Sequence, residues 1–369
     1  DLGLNAISAF VYSRSVSSRN LLDLLMRCAA HGLKVNLSLR PGTPMDFPWE
    51  QDRRMIEQSH LINNDTVFAY DLAWEPRWGI YSERTGYDQQ WAKWVLARYG
   101  SIANASTAWG IDAPMRDGRL TGPVNDEIVN DGPWRKMVLD YRRFLNDLLA
   151  ERYGRARELI HSIDPHHLVS FRMSMAGDPN FAPDDMCYDF AGLSHAVDFL
   201  GPEGYGRIGD WDRVRIGDFT VAYGRAVAPK LPIVWAEFGI NVWNVGAHAD
   251  DPTQTKFAGQ FYDDFYRMIA ESDADGSFPW WLPGGYRVDE DSDFGIMNPD
   301  RSWRPAAVAI HKWAPILAGP RREKPKAVIP IHPGQHVDGI HGIYDAIRTR
   351  FNDTLNAGKQ PVLTPEPPN

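Results

Sequence analysis

"VFAYDLAWEP", residues 67–76, decides how this chain is read. Its first eight residues are apolar and aromatic with a single acid, Asp71, the pattern of a buried strand. The run then meets Glu75 and Pro76. A lone carboxylate is costly to bury, and Pro cannot continue a strand's hydrogen-bond ladder. The strand therefore ends here, with an acid at its tip.

Six further runs have the same texture: "NAISAFVY" (5–12), "KVNLSLR" (34–40), "HLVSFRMS" (167–174), "VDFLGPE" (197–203), "PIVWAE" (232–237) and "SFPWWL" (277–282). Stretches of helical period lie between them. "SRNLLDLLMRCAAHG" (18–32) spaces Leu and Met for one helix face and stops at Gly, while 134–165 and 255–273 are long and amphipathic. Strand and helix in alternation argue for an α/β protein with a parallel sheet. Seven strands fall one short of the eight that close a (β/α)8 TIM barrel, and the absent one is the first. Either the first β-α unit is missing, or the tail strand "AVIPI" (327–331) and a helix around 341–357 replace it. The alternative, an open doubly wound sheet, lacks the Gly-rich phosphate turn that such folds use.

Beyond residue 317 the chain becomes rich in Pro and charge ("GPRREKPKAVIPIHPG"), a linker texture. Residues 1–317 are read as the barrel. Residues 318–369 are read as a linker and the start of a second, incomplete α/β domain.

The 369 residues are 43% hydrophobic and 24% charged, which suits a globular chain with a sizeable core. A net charge of −9 without a basic cluster makes nucleic acid and anionic membrane poor partners. No apolar run approaches the roughly 18 residues of a membrane span. "DLGLNAISAF" does not resemble a natural N-terminus, so truncation or processing is expected; a bacterial cytoplasm and secretion both stay open. Homo-oligomerisation stays open as well. Cys28 and Cys187 read as two buried thiols, and His166, His167 and His195 lack metal-ligand spacing, so neither metal nor cofactor is expected. The 14 Trp, 14 Tyr and 16 Phe stand out, because many lie in loop-like segments such as "EPRWG", "NVWNVG" and "PWWLPGGYR". Aromatic faces in clefts hold the apolar faces of sugar rings.

Active sites of such barrels sit at the C-terminal ends of the strands. Glu75 stands at one such end and Glu237 at another, followed by a Gly that lets the chain turn. Strand alternation puts Asp71, Ala73 and Glu75 on one face, and Ile233, Trp235 and Glu237 on one face of theirs. Two Glu converging on one pocket is what glycoside hydrolysis with retention requires, one as nucleophile and one as proton donor, with carboxyls about 5–5.5 Å apart. The bland alternative makes each Glu a helix-start or salt-bridge residue.

The chain resembles glycoside hydrolase clan A over nearly all of residues 1–317. "WEP" (74–76) matches the position of the clan's acid/base motif after the fourth strand, and "WAEFG" (235–239) resembles its nucleophile motif after the seventh. "IDPHHLVS" (163–170), "GSFPWWLPGG" (276–285) and "SDFGIMNPDRSWRPAA" (292–307) resemble the entry to the fifth strand, the eighth strand and its sequel. "WAKWVLARYGSIANASTAWG" (91–110) is similar to family 42 β-galactosidases, and the tail to their following flavodoxin-like domain. The resemblance implies a retaining β-glycosidase without cofactor, in which Glu237 attacks the anomeric carbon and Glu75 protonates the leaving oxygen. It implies that Tyr205 ("GPEGYG") donates a hydrogen bond to Glu237 and that a Trp of "PWWL" floors the sugar subsite.

Two departures stand out. Trp74 occupies the place of the clan's Asn, and Ser8 the region of its strand-two Arg; Arg40 or Arg172 can substitute for the latter. Of Trp280 and Trp281, one is expected to face the barrel and the other to pack outward on a helix. Glu203 reads either as a ligand of sugar hydroxyls or as structural, and Asp71 as a buried hydrogen-bonding residue. The run "RVDEDSD" (287–293) reads as a solvated loop or as pocket lining. The expected substrate is an oligosaccharide or polysaccharide. Exo action on β-galactosides or related β-glycosides leads. An endo-β-glycanase of mannanase or cellulase type and a non-catalytic carbohydrate-binding barrel are the alternatives.

Overall fold

The computed structural model describes residues 2–10, 18–39, 47–181, 188–321 and 323–366. Strands β1 (Ala6–Phe10), β2 (Lys34–Ser38), β3 (Val67–Trp74) and β4 (Leu168–Arg172) pair in that order, all parallel. The array continues through residues 198–203, whose Asp198 N–H donates to Val169 O and whose Gly201 O accepts from Met173 N–H, at 2.8 and 3.0 Å. Leu200 then bridges in parallel to Ile233, beside β5 (Val234–Trp235). Strand β5 pairs in parallel with β6 (Gly276–Ser277). Seven extended segments thus stand side by side in chain order, at the seven places where the sequence has its apolar runs.

Both faces of this array are covered. In β2, four consecutive residues from Val35 to Ser38 are buried, as expected where helices connect parallel neighbours. The connecting helices are α1 (Ser18–Ala30), α2 (Trp49–Gln58), α3 (Asp88–Tyr99), α4 (Ile102–Trp109), α5 (Arg135–His161), α6 (Gly217–Val227), α7 (Pro252–Ser272) and α8 (Pro305–Ala318). Helix α1 buries Leu21, Leu25 and Cys28 on one face. It ends in a Schellman motif: Gly32 N–H donates to Ala29 O and Leu33 N–H to Cys28 O, with Gly32 at φ +67°. Cys28 is a free, buried thiol, as expected; Cys187 lies outside the described residues.

The two ends of the array approach each other through side chains. Phe10 of β1 meets Trp280, just past β6, edge-on at 5.4 Å, and Phe68 of β3 stacks on Phe278 at 6.2 Å. No backbone hydrogen bond among the described residues joins β1 to the 275–280 segment.

The tail folds as a β-α-β unit of β7 (Lys326–Ile331), α9 (Ile340–Asn356) and β8 (Gln360–Pro365). Here one expectation is corrected. Strand β7 pairs only with β8, in a two-stranded sheet of its own, so 327–331 and its helix do not replace a first barrel unit. The reason is packing: α9 rests on the outer helix α6, with Tyr344 and Phe351 against Phe219 at 4.8 and 5.6 Å. No helix among the described residues is long and apolar enough to cross a membrane.

Candidate active site

Parallel pairing brings the C-terminal ends of all seven segments to one edge. At the end of β3 the register slips: Asp71 faces Ser170, but Trp74 faces Arg172, three residues matched against two. This bulge breaks the strict alternation expected for Asp71, Ala73 and Glu75. It swings the Trp74 ring inward to within 4.8 Å of Phe10 and 5.6 Å of Trp280. Glu75 follows in the left-handed region, φ +47°, its N–H donating to Arg172 O at 3.1 Å. For a residue with a Cβ that conformation costs on the order of 1–2 kcal/mol, which the surrounding pairing sustains. Glu203 and Glu237 stand opposite one another across a parallel bridge. Gly204 N–H donates to Glu237 O at 2.7 Å and Glu203 N–H to Ser174 O at 2.9 Å.

Arg172 is the hub. Its guanidinium is 2% exposed, donates from Nη1 to Glu237 Oε2 at 2.7 Å, and places Nε 3.1 Å from Asp71 Oδ2. Its Nη2 donates to Ser8 Oγ at 3.0 Å. The small Ser8 leaves the room that Arg172, reaching over from β4, fills. Of the two candidates for the missing strand-two Arg, Arg172 thus lies on Glu237; Arg40 lies outside the described residues. Tyr205 completes the grip, its hydroxyl donating to Glu237 Oε1 at 2.6 Å.

The electrostatics follow from burial. Glu237 is pushed up to about 7 by desolvation, against the pull of Arg172 and Tyr205 towards the charged form, with Glu75 and Asp71 adding negative field. Asp71 rises to about 6, its burial outweighing the neighbouring Arg172. The Tyr205 phenol is held well above its ordinary range by burial and by Glu237, so it stays a proton donor. Glu203 is driven well above the carboxylate range, first by desolvation and then by the charges of Glu75 and Glu237.

Aromatic rings form the rim. Trp280 is buried beside Phe10, Trp74 and Arg172, whose guanidinium carbon lies 4.2, 5.3 and 5.8 Å from the Phe10, Trp74 and Trp280 rings. Trp281 does not turn outward to a helix as expected. It lies beyond the end of β6, where the pleat no longer dictates direction, and keeps its ring 5.2 Å from that of Trp280. Arg287 covers both, 5.1 Å from Trp280 and 4.5 Å from Trp281. The Trp281 indole N–H finds no acceptor among the described residues. The 287–293 run therefore divides: Arg287 lies on the tryptophans, and Asp293 is buried in an ion pair with Arg304 at 2.7 Å. Some of the other tryptophans are core. Trp91, Trp109 and Trp235 are at most 3% exposed.

Sequence reasoning missed Phe10 and the linking role of Ser8, and touched Arg287 only within the 287–293 run read as solvated loop or pocket lining. Phe10 carries a legible signal, as the last residue of its strand; Arg287 carries none of its own, because a loop fold brings it in. No group of three or more His, Cys, Asp or Glu among the described residues could hold a metal ion. His167 is held by Asp164 at 2.6 Å beneath the sheet.

No family model matches the chain, and no curated protein matches it. Solved structures do. A β-galactosidase of the haloarchaeon Halorubrum lacusprofundi superposes with a TM-score of 0.68 at 16% identity, over 99% of this chain and 63% of its own. The cold-adapted β-galactosidase of Rahnella sp. R3 gives 0.71 at 13%, over 99% and 60%. A family 5 glycoside hydrolase of Streptomyces cattleya, in complex with GlcNAc, gives 0.62 at 12%, over 99% and 85%. The expected likeness to clan A glycoside hydrolases, family 42 β-galactosidases included, is borne out at the level of the fold. This chain spans about 60–63% of the length of the first two β-galactosidases.

Proposed function

We propose that this chain is a retaining β-glycosidase built on a (β/α)8-type barrel, acting at the Glu75–Glu237 edge. The observation that carries the reading is the grip on Glu237. A carboxylate fixed by a phenol at 2.6 Å and a guanidinium at 2.7 Å, at a strand end facing a second Glu, is oriented as a nucleophile is. Seven parallel segments in chain order, with rings from the first and last in contact, support the barrel.

In the first step a Glu237 oxygen bonds to the anomeric carbon while the glycosidic C–O bond breaks. The leaving oxygen keeps the electron pair and takes a proton from Glu75. In the second, Glu75 takes a proton from water, the water oxygen bonds to the anomeric carbon, and Glu237 departs as carboxylate. Tyr205 and Arg172 keep Glu237 ionised and aimed. The clan's usual contact to the substrate 2-hydroxyl has no Asn here; Trp74, Trp280 and Trp281 supply ring surface. The likeness to β-galactosidases supports exo action on β-galactosides or related β-glycosides. The barrel is assigned to residues 1–317 and the β-α-β tail to a separate partial domain.

The test is a screen of aryl β-galactoside, glucoside, mannoside and fucoside beside soluble β-glucan and mannan, repeated with Glu237→Gln and Glu75→Gln. The expected result is turnover of at least one aryl glycoside. Glu237→Gln should abolish it for every leaving group. Glu75→Gln should cost about 10²–10⁴-fold where the leaving group is poor and little where it is activated, because an activated aryl group departs without a proton. Turnover of polymer alone would favour an endo-glycanase, and turnover of nothing a carbohydrate-binding barrel.

A further inference from the structure

Glu203 is a carboxyl at this edge that the mechanism leaves idle and that, unlike Asp71, has no cation paired to it, and its surroundings are unusual. It is 1% exposed, and neither of its side-chain oxygens has a hydrogen-bond donor among the described residues. Buried carboxylates are tolerated when paired or hydrogen-bonded. The groups that face it are Glu75 from the end of β3, Glu237 across the strand bridge, Arg172 from β4, and the Tyr205 phenol two residues on. Arg172 directs its donors at Glu237 and Ser8, and Tyr205 directs its hydroxyl at Glu237. What remains within hydrogen-bonding reach of Glu203 is Glu75, another acceptor. Two carboxyls in contact, without a donor between them, hold together only if one carries a proton.

We infer that Glu203 is a positioning residue that shares a single proton with Glu75, so that the pair, rather than Glu75 alone, delivers and recovers the proton of the reaction. The inference rests on the glycosidase reading above. The division of labour follows from position. Glu75 is half-buried at the mouth, where it can reach a leaving group, while Glu203 is sealed behind it, where burial holds the proton against solvent. The balance closes. The pair starts with one proton; bond cleavage transfers it through Glu75 to the leaving oxygen, leaving two carboxylates. Attack by water returns one proton to Glu75, and the pair shares it again.

The test is Glu203→Gln, which keeps the shape and offers an amide donor to Glu75 but cannot store or return a proton. Its kcat/KM is measured against pH on an unactivated phenyl β-galactoside and on the dinitrophenyl analogue, or on the matching pair of whichever glycoside is turned over. The inference expects a loss of about 10–100-fold on the poor leaving group against less than about 3-fold on the activated one, within the range for proton transfer by a positioned group. It also expects the alkaline limb to move to lower pH, since the variant lacks the second carboxyl whose charge resists loss of the shared proton. Equal losses on both substrates with an unmoved alkaline limb would overturn it and leave Glu203 a packing residue. Glu75→Gln, run alongside, separates the two levels. If it discriminates between leaving groups and Glu203→Gln does not, this inference alone fails; if neither discriminates, the glycosidase roles fail with it. Should Glu203→Gln not fold, Glu203→Asp carries the same test, with the same direction and a smaller shift.

Discussion

At the scale of single residues, the site turns on what holds Glu237. Desolvation raises it to about 7, while Tyr205 and Arg172 oppose the rise. A nucleophile must be ionised, so kcat/KM should fall as pH drops below about 7. The Tyr205 hydroxyl favours the charged form; Tyr205→Phe removes that donor, and Glu237 then rises further. A hydrogen bond to a charged group is worth about 1.5–3 kcal/mol, so the acidic limb should move upward by about one pH unit or more. A pH–rate profile of the variant checks this, and an unmoved acidic limb would separate Tyr205 from the nucleophile. The pair Glu75 and Glu237 was legible because an acid at the end of an apolar run is conspicuous. Arg172 was legible only as an alternative: its side chain crosses from β4 to the edge at β1, and sequence does not say how far an arginine reaches. The coupling of Glu203 to Glu75 was not legible at all, because it depends on a bulge and a left-handed residue at the end of β3.

At the scale of elements, short apolar runs bounded by Gly, Pro and charge placed all seven extended segments, and helical period placed α1, α5 and α7. The runs at 197–203 and 232–237 depart furthest from regular strands. They are extended and hydrogen-bonded, yet regular ladder is confined to Val234–Trp235 and isolated bridges, because Pro202 and Pro232 withhold donors. Helix α2 was missed, since Glu50, Arg54, Glu57 and Gln58 make its exposed face and only Asp52 and Ile56 are buried. The stop of α1 permits a clean test. Gly32 sits at φ +67° with no atom within 4 Å of where a Cβ would be, so Gly32→Ala adds backbone strain and no clash. The expected cost is about 1 kcal/mol, a fall in Tm of about 1–2 °C for a chain of this size. Thermal unfolding checks it, and an unchanged Tm would mean that this Schellman motif is not held in the folded chain.

At the scale of the whole molecule, the tail was the hardest part to place. Its β-α-β composition was visible, but whether it completed the sheet or stood apart is a matter of which surface Tyr344 and Phe351 bury, and they bury Phe219 on α6. In the reading proposed above, the edge where the seven segments end is a glycosidase site with Glu237 as its nucleophile. The most direct measurement is to trap the intermediate. A deoxyfluoro β-glycoside with a good leaving group, whose fluorine replaces the 2-hydroxyl, slows the second step more than it can slow departure of the first group. Incubation, digestion and mass spectrometry should find one sugar per chain on the peptide containing Glu237, and none in Glu237→Gln. A label on Glu75 or Glu203, or hydrolysis with inverted anomeric configuration and no label, would contradict the account.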